Sequence, residues 1–523
     1  MKLNEASACV QVGRWEDAAA HCHAALALDD ENPNALYQLG VIALHAKRPE
    51  NAVAFLSRAT RRARREPALF NAYGVALDAL GHHDQAARAF RRAISLKAGF
   101  AAAHRNLGAS LAALGDGGAA LVALRRAIAL DPGDARAHGT MGFVLMERGQ
   151  VDDAISSYRH AIDRDRRYAE AHFNLGNAVR SLGRFAQAVE HYSDAIAVRP
   201  GFADAHANRA YLNLLLGRFE QGWRDYEWRV EADFGTPYIP DPWDPGGALP
   251  KPSTLLPFDA RGKLIFVVRD QGLGDEIFFL RFADVLSERG ARLVYAPSDK
   301  LAEILGRVAA IEIARDGTLR IDAHCVILAG ELALLAGCDT KSDVPPPLRL
   351  SALEERSQKI GAHLGSLGRG PWLGLTWRAG DPAPVAGRLN LIKEIPLADL
   401  GAALAAWRGG IAVLQRNPDA GELAELNAIA GHRVHDLSHC NDDLEDMLGL
   451  LSLVDEYVGV SNTNMHLRAG LGKPARVLLP DPPEWRWLDQ GDESPWFPGF
   501  RLYRKHRSAG WREAVSRLAA DLS

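Results

Sequence analysis

The sequence predicts a helical solenoid in its first half and a parallel α/β region, made of two units, in its second. Three observations carry this. A 34-residue period runs through roughly the first 230 residues, a proline-rich stretch breaks it, and strand-like apolar runs then alternate with amphipathic stretches. At 523 residues the chain exceeds what one core usually holds, which agrees with several domains.

The period is explicit. Glycine recurs at Gly40, Gly74, Gly108, Gly142 and Gly176, and again at Gly81, Gly115, Gly149, Gly183 and Gly217. Alanine keeps the same step at Ala25, Ala59, Ala93, Ala127, Ala161 and Ala195, where a small side chain lets antiparallel helices approach closely. Segments such as "AHRNLGASLAAL" place apolar residues at i, i+3, i+4 and i+7. Asp131-Pro132 and Arg199-Pro200 close two repeats where a helix must stop. Period and residue types together resemble the tetratricopeptide repeat (TPR), which implies about seven helix pairs over residues 1–232. A further column, Asn4, Gln38, Ala72, Asn106, Thr140, Asn174 and Asn208, keeps the spacing. In TPR solenoids it looks into the concave groove, where carboxamides can hold an extended polypeptide. Asn106, Asn174 and Asn208 are therefore candidate acceptor-binding residues; the alternative is that they bond neighbouring helices.

Seven prolines between Pro237 and Pro257 make residues 233–260 a semi-rigid linker. "KLIFVV", "QGLGDEIFFLRFADVLSERG" and "RLVYAP" then read as strand, glycine turn with helix, and strand. A second start at "WLGLTW" leads to "IAVLQ", "YVGV" and "RVLLP". The expected units are 261–352 and 353–523, with ligands at the carboxyl ends of their strands.

Composition narrows the function. A net charge of −4 with 24% charged residues gives no electrostatic case for nucleic acid. Five scattered cysteines without a CxxC pair indicate neither a disulfide framework nor zinc, and no stretch approaches a membrane span. A cytoplasmic setting is the expectation. The DxD motif, Asp163 to Asp165, lies in the repeats, so no metal site is expected.

"RDQGLGDEIFFLRFADVL", "GLTWRAG", "YVGVSNTNMHLRAGLGKPARVLLP", "WRWL" and "SPWFPGF" resemble the heptosyltransferase group, glycosyltransferase family 9, over roughly Arg261 to Ser523. The resemblance implies a GT-B fold of two Rossmann-like units, acceptor side first and nucleotide-sugar side second. It also implies inverting transfer without a metal or other cofactor, the nucleotide-sugar being a co-substrate. One departure stands out: relatives usually carry an aspartate and then small residues in the turn after "YVGV", where this chain has Ser461, Asn462, Thr463 and Asn464.

Physical reasoning gives that turn a role. Unpaired N–H groups at a helix N-terminus attract a diphosphate, and Ser461, Asn462, Thr463 and Asn464 add hydrogen bonds without blocking access. His466 can donate to a phosphate oxygen; capping and a structural histidine are the alternatives. Asp275 opens a helix in "GLGD" and matches the general base of the resembling enzymes, or is a helix cap. Gln271, with Arg269 and Asp270, orients an acceptor or finishes the strand. Trp377 and Arg378 end a strand in "GLTWRAG" and are donor-binding candidates; "RLNLIKEIPL" supplies Arg388 and Lys393, and Lys393 matches the basic residue that offsets the leaving diphosphate. Glu445 lies where relatives hold a ribose, or on a solvated helix face. Trp485, Trp487, Trp496 and Phe497 read as core.

The expectation is a glycosyltransferase whose TPR arm recruits a protein or another polymer. The competing expectations are an interaction scaffold with a decayed GT-B region and, with less to support it, a nucleotide-sugar epimerase.

Overall fold

A computed structural model describes residues 2–232, 252–256, 258–269, 271–314, 322–379 and 393–523. Most of the expected linker, with Asp270 and Arg388, lies outside them. Contacts divide the chain into two compact units, Met1–Gly201 and Phe202–Ser523.

The first unit is a stack of antiparallel helix pairs: Lys2–Gln11 with Trp15–Leu26, Pro33–His45 with Pro49–Arg62, Pro67–Ala79 with His83–Leu96, Ala101–Ala113 with Gly117–Leu130, Ala135–Glu147 with Val151–Arg164, and Ala169–Ser181 with Phe185–Val198. Gly81, Gly115, Gly149 and Gly183 take φ between +72° and +80° and end the first helix of their pairs, a conformation open to glycine at little cost. Lys47, one period before Gly81, takes the same place at φ 55°. The periodic alanines are all buried. First helices of successive repeats touch one another, while each second helix packs mainly on the first helices beside it. The first helices therefore form the inner layer of the curved stack and the second helices the outer one.

The second unit begins with a seventh pair, Ala203–Leu215 and Phe219–Tyr226. The sequence placed the end of the solenoid at residue 232, but this pair is built into the α/β region. Trp223 stands edge-on to Trp485 and Trp496 at 5.4 and 5.9 Å between ring centroids. The Asp489 amide donates to the Leu215 carbonyl, and the Tyr211 hydroxyl to that of Pro483. Its apolar face is thus covered by aromatics that lie more than 250 residues further along the chain.

Two sheets follow. β1 (Leu264–Val268), β2 (Arg292–Ala296), β3 (Glu312–Ile313) and β4 (Cys325–Leu328) form a parallel sheet in the order β3-β2-β1-β4. β5 (Trp372–Leu375), β8 (Gly410–Val413), β9 (Val434–Asp436), β10 (Glu456–Val460), β11 (Arg476–Leu479) and β12 (Arg501–Arg504) form a second parallel sheet, ordered β12-β11-β10-β5-β8-β9. β6 (Arg378–Ala379) and β7 (Lys393–Glu394) make a short antiparallel ribbon. β1 and β5 are fully buried, as central parallel strands must be. Strand order reverses between β1 and β4 and between β5 and β10, so crevices open at the carboxyl ends of those strands. The helix Arg512–Leu522 closes the second core, where Val515 and Leu518 join one apolar cluster with Leu400 and Leu404.

Candidate functional site

A polar cleft of about 780 Å³ lies at those crevices. Its walls are the segments that leave the carboxyl ends of the strands: Gly272–Asp275 after β1, Thr376 after β5, Leu414–Asn417 after β8, Asn441 beyond β9, Ser461–Asn464 after β10, and Glu484 and Arg486 beyond β11. Arg378 and Lys393 reach it from the ribbon.

The β10 turn leads straight into the helix Thr463–Gly470. Asn462 caps it, its Oδ1 accepting the Met465 amide at 3.3 Å. The Asn462 amide donates to Thr376 Oγ1 at 3.0 Å, tying the ends of β5 and β10 together. Thr463 and Asn464 line the cleft in the first turn, where a helix leaves N–H groups without intrahelical acceptors; that of Met465 is taken by Asn462. His466 follows one turn in, buried, with Nδ1 lacking a partner among the described residues. Burial, then Arg486, Arg281 and Lys393, hold its pKa well below the ordinary histidine value, so the ring is neutral. A Cβ on Gly274 would lie 2.8 Å from His466 Cδ2. Only glycine lets the helix Leu273–Phe279 approach that closely.

Charge in the cleft is organised in three pairs. Glu484 accepts from Lys393 Nζ at 2.5 Å and from the Ser461 hydroxyl. Burial alone would raise its carboxyl, but Lys393 and Arg486 hold it down to about 2. Arg486 donates to Asp275 Oδ1 and lies over the rings of Phe278 and Trp485, each centroid 4.5 Å away. Its Nε is buried and has no described partner. Arg378 holds Glu422 with two hydrogen bonds, at 2.7 and 2.9 Å, which with other bonds brings that carboxyl to about 2.

Asp275, Arg378, Lys393, Ser461, Asn462, Thr463, Asn464 and His466 therefore all line the cleft. Other candidates stand elsewhere. Trp377 is 1% exposed in the core, its indole N–H donating to Glu422 at 2.7 Å, while its neighbour Arg378 lines the cleft. Glu445 is buried in a two-bond pair with Arg307, clamping the part of the unit around the first sheet to that around the second, rather than on a solvated face. Gln271 donates to the Tyr226 hydroxyl at 2.8 Å, outside the lining. In the repeats, Asn106 donates to Asn71 on the neighbouring first helix at 3.0 Å. Asn208 is buried and donates to the Asp204 carbonyl, while Asn174 is half-buried. For Asn106, bonding between helices is thus the role realised. Trp485, Trp487, Trp496 and Phe497 are core, as their type suggested.

Glu484, Arg486, Thr376, Gln415 and Asn441 are cleft residues that the sequence reading passed over. The available signal was a glutamate and an arginine interleaved with two tryptophans in "EWRW", a short loop beyond a strand. Charged groups locked into an aromatic run need partners when buried.

Tetratricopeptide repeat models match residues 10–74, 73–135 and 133–201, so the N-terminal region carries TPR repeats. FlbA of Caulobacter vibrioides is 24% identical over 287 residues, which cover 50% of this chain and 47% of FlbA. The chain thus spans about half the length of that curated relative. Among solved structures, the thermophilic TPR protein TTC0263 of Thermus thermophilus is 21% identical, with TM-score 0.32, over 35% of this chain and 99% of its own. PilF of Pseudomonas aeruginosa is 17% identical, with TM-score 0.34, over 38% and 91%. The first half of the chain is a helical TPR solenoid, an element that points to protein partners, and the second half is a region of parallel sheets and helices.

Proposed function

We propose that the cleft transfers a sugar from a nucleotide-sugar donor to an acceptor recruited by the TPR repeats, in a GT-B arrangement with inversion. One observation carries this reading. The N-terminus of the Thr463–Gly470 helix, Lys393 and Asp275 face a single cleft at the reversal points of two parallel sheets. In the proposed step Asp275 takes the proton of an acceptor hydroxyl, whose oxygen attacks the anomeric carbon as its bond to the diphosphate breaks. Attack opposite the leaving group inverts that carbon. The helix N-terminus and Lys393 receive the departing charge. His466, neutral and lining the cleft, is the residue that this reading has donate to a phosphate oxygen; its Nδ1 is buried with no partner among the described residues.

A second reading has its own observation. Lys393, Arg486 and Arg378 already hold carboxylates, as they would in an interaction scaffold whose α/β region no longer turns over. Thermal shift against nucleoside diphosphates and nucleotide-sugars separates the two, because a ligand bound only by the folded state raises the apparent stability. A rise in Tm, followed by acceptor-dependent release of nucleoside diphosphate, supports transfer. No rise with any nucleotide favours the scaffold, and release of diphosphate without acceptor argues against transfer to one.

A further inference from the structure

The outer layer of the solenoid carries a basic band that the cleft chemistry does not use. Between Asn51 and Arg126 there are twelve Arg and Lys against four Asp and Glu, in a chain of net charge −4. The arginines keep the repeat period: Arg91, Arg125 and Arg159 form one column, and Arg58, Arg92 and Arg126 another. All lie on second helices, the outer layer. Packing does not require them, since Ala86, Phe90 and Ala93, then Ala120, Leu124 and Ala127, supply the buried faces of their helices.

Part of the band is neutralised and part is not. Arg58 pairs with Glu31, and Arg88 with Asp84. Arg91, Arg125 and Arg126 are exposed and have no ion pair among the described residues; Arg92 is exposed and donates to the Arg64 carbonyl. Like charges held side by side repel, so this face is a standing site of positive potential.

We propose that the outer face of the second, third and fourth repeats docks an acidic segment of a protein partner. The guanidinium fork matches a carboxylate with two parallel hydrogen bonds, which a lysine cannot do. Single-stranded nucleic acid would call for exposed aromatic platforms. The large exposed hydrophobics described in this stretch are instead Leu114 and Val122. TPR repeats, in turn, point to protein partners.

The test uses the full chain and fluorescein-labelled oligoglutamate, read by anisotropy at low and raised salt. The parent should bind, with affinity falling as salt rises. A variant carrying Arg91→Glu, Arg92→Glu, Arg125→Glu and Arg126→Glu should lose about tenfold or more, the result of removing several charged hydrogen bonds. Its far-UV circular dichroism should match the parent's, and Arg512→Glu should leave binding unchanged. Parent-like binding by the fourfold variant overturns the proposal. So does tighter binding of oligothymidylate than of oligoglutamate, or a salt-sensitive dimer of the parent that the variant abolishes, which would assign the band to a second copy of the chain.

Discussion

Glu484 decides how the cleft meets an anion. Its carboxylate stands between Lys393 and Ser461, so an incoming diphosphate must share Lys393 with a negative charge already there. Glu484→Gln should therefore tighten nucleoside diphosphate binding, measured by calorimetry, whereas Lys393→Ala should weaken it by about 1.5–3 kcal/mol, the value of a charged hydrogen bond. Tighter binding to Lys393→Ala would remove the phosphate from this site. The same carboxyl gives a pH test. Its pKa is lowered from 4.5 to about 2 in the folded chain, so its stabilisation is full above 4.5 and is lost as pH falls from 4.5 towards 2. In Glu484→Gln, melting temperature should fall less steeply across that window than in the parent. His466 was legible in the sequence because it sits one turn inside a helix that follows a polar turn. Glu484 and Arg486 were not, because only the path of the loop after β11 brings them back over the ends of β1 and β10.

At the scale of elements, the cleft depends on two short helices meeting end to end. Gly274 lies against His466, so Gly274→Ala must displace the ring or the helix, at a cost of about 1–3 kcal/mol by the usual price of overpacking. Denaturant unfolding should show that loss, and an unchanged midpoint would mean that the two helices are not held at this separation. Asp275→Ala should lower turnover by roughly 10²- to 10⁴-fold, the usual contribution of a general base, with donor affinity nearly unchanged. Full activity would leave Asp275 as the partner of Arg486 and no more. The motif "MHLRAGLGKP" divides between two roles. His466 faces the cleft, while Arg468 is 1% exposed and donates to the carbonyls of Val454, Asp455 and Pro474, pinning the helix to the turns that lead into β10 and β11. Sequence spacing showed the block as a unit, and only the backbone carbonyls around Arg468 separate structure from site.

For the whole molecule, the position of the seventh pair gives the sharpest expectation. A fragment ending at Gly201 should be a monomeric helical stack, because residues up to Gly201 form a compact unit of their own. One ending at Ala232 would expose Phe219 and Trp223, which in the full chain are at most 1% exposed against aromatics of the α/β region. It should bind a hydrophobic dye and associate, checked by sedimentation and dye fluorescence. A well-behaved monomer of the longer fragment would show that the seventh pair belongs to the stack.

The sequence by itself determined the repeat, its register, the succession of parallel strands and most of the cleft's polar turn. Each of these is a local pattern: a period, an alternation, or a run of small polar residues between a strand and a helix. Tertiary structure decided the rest. Trp377 and Arg378 are neighbours in the chain, yet one enters the core and the other the cleft. Glu445 reads as a solvated acid until Arg307, 138 residues earlier, is folded against it. The seventh helix pair has the length of a repeat, yet its large aromatic face finds cover in the second unit, because buried apolar area, not periodicity, sets where a domain ends.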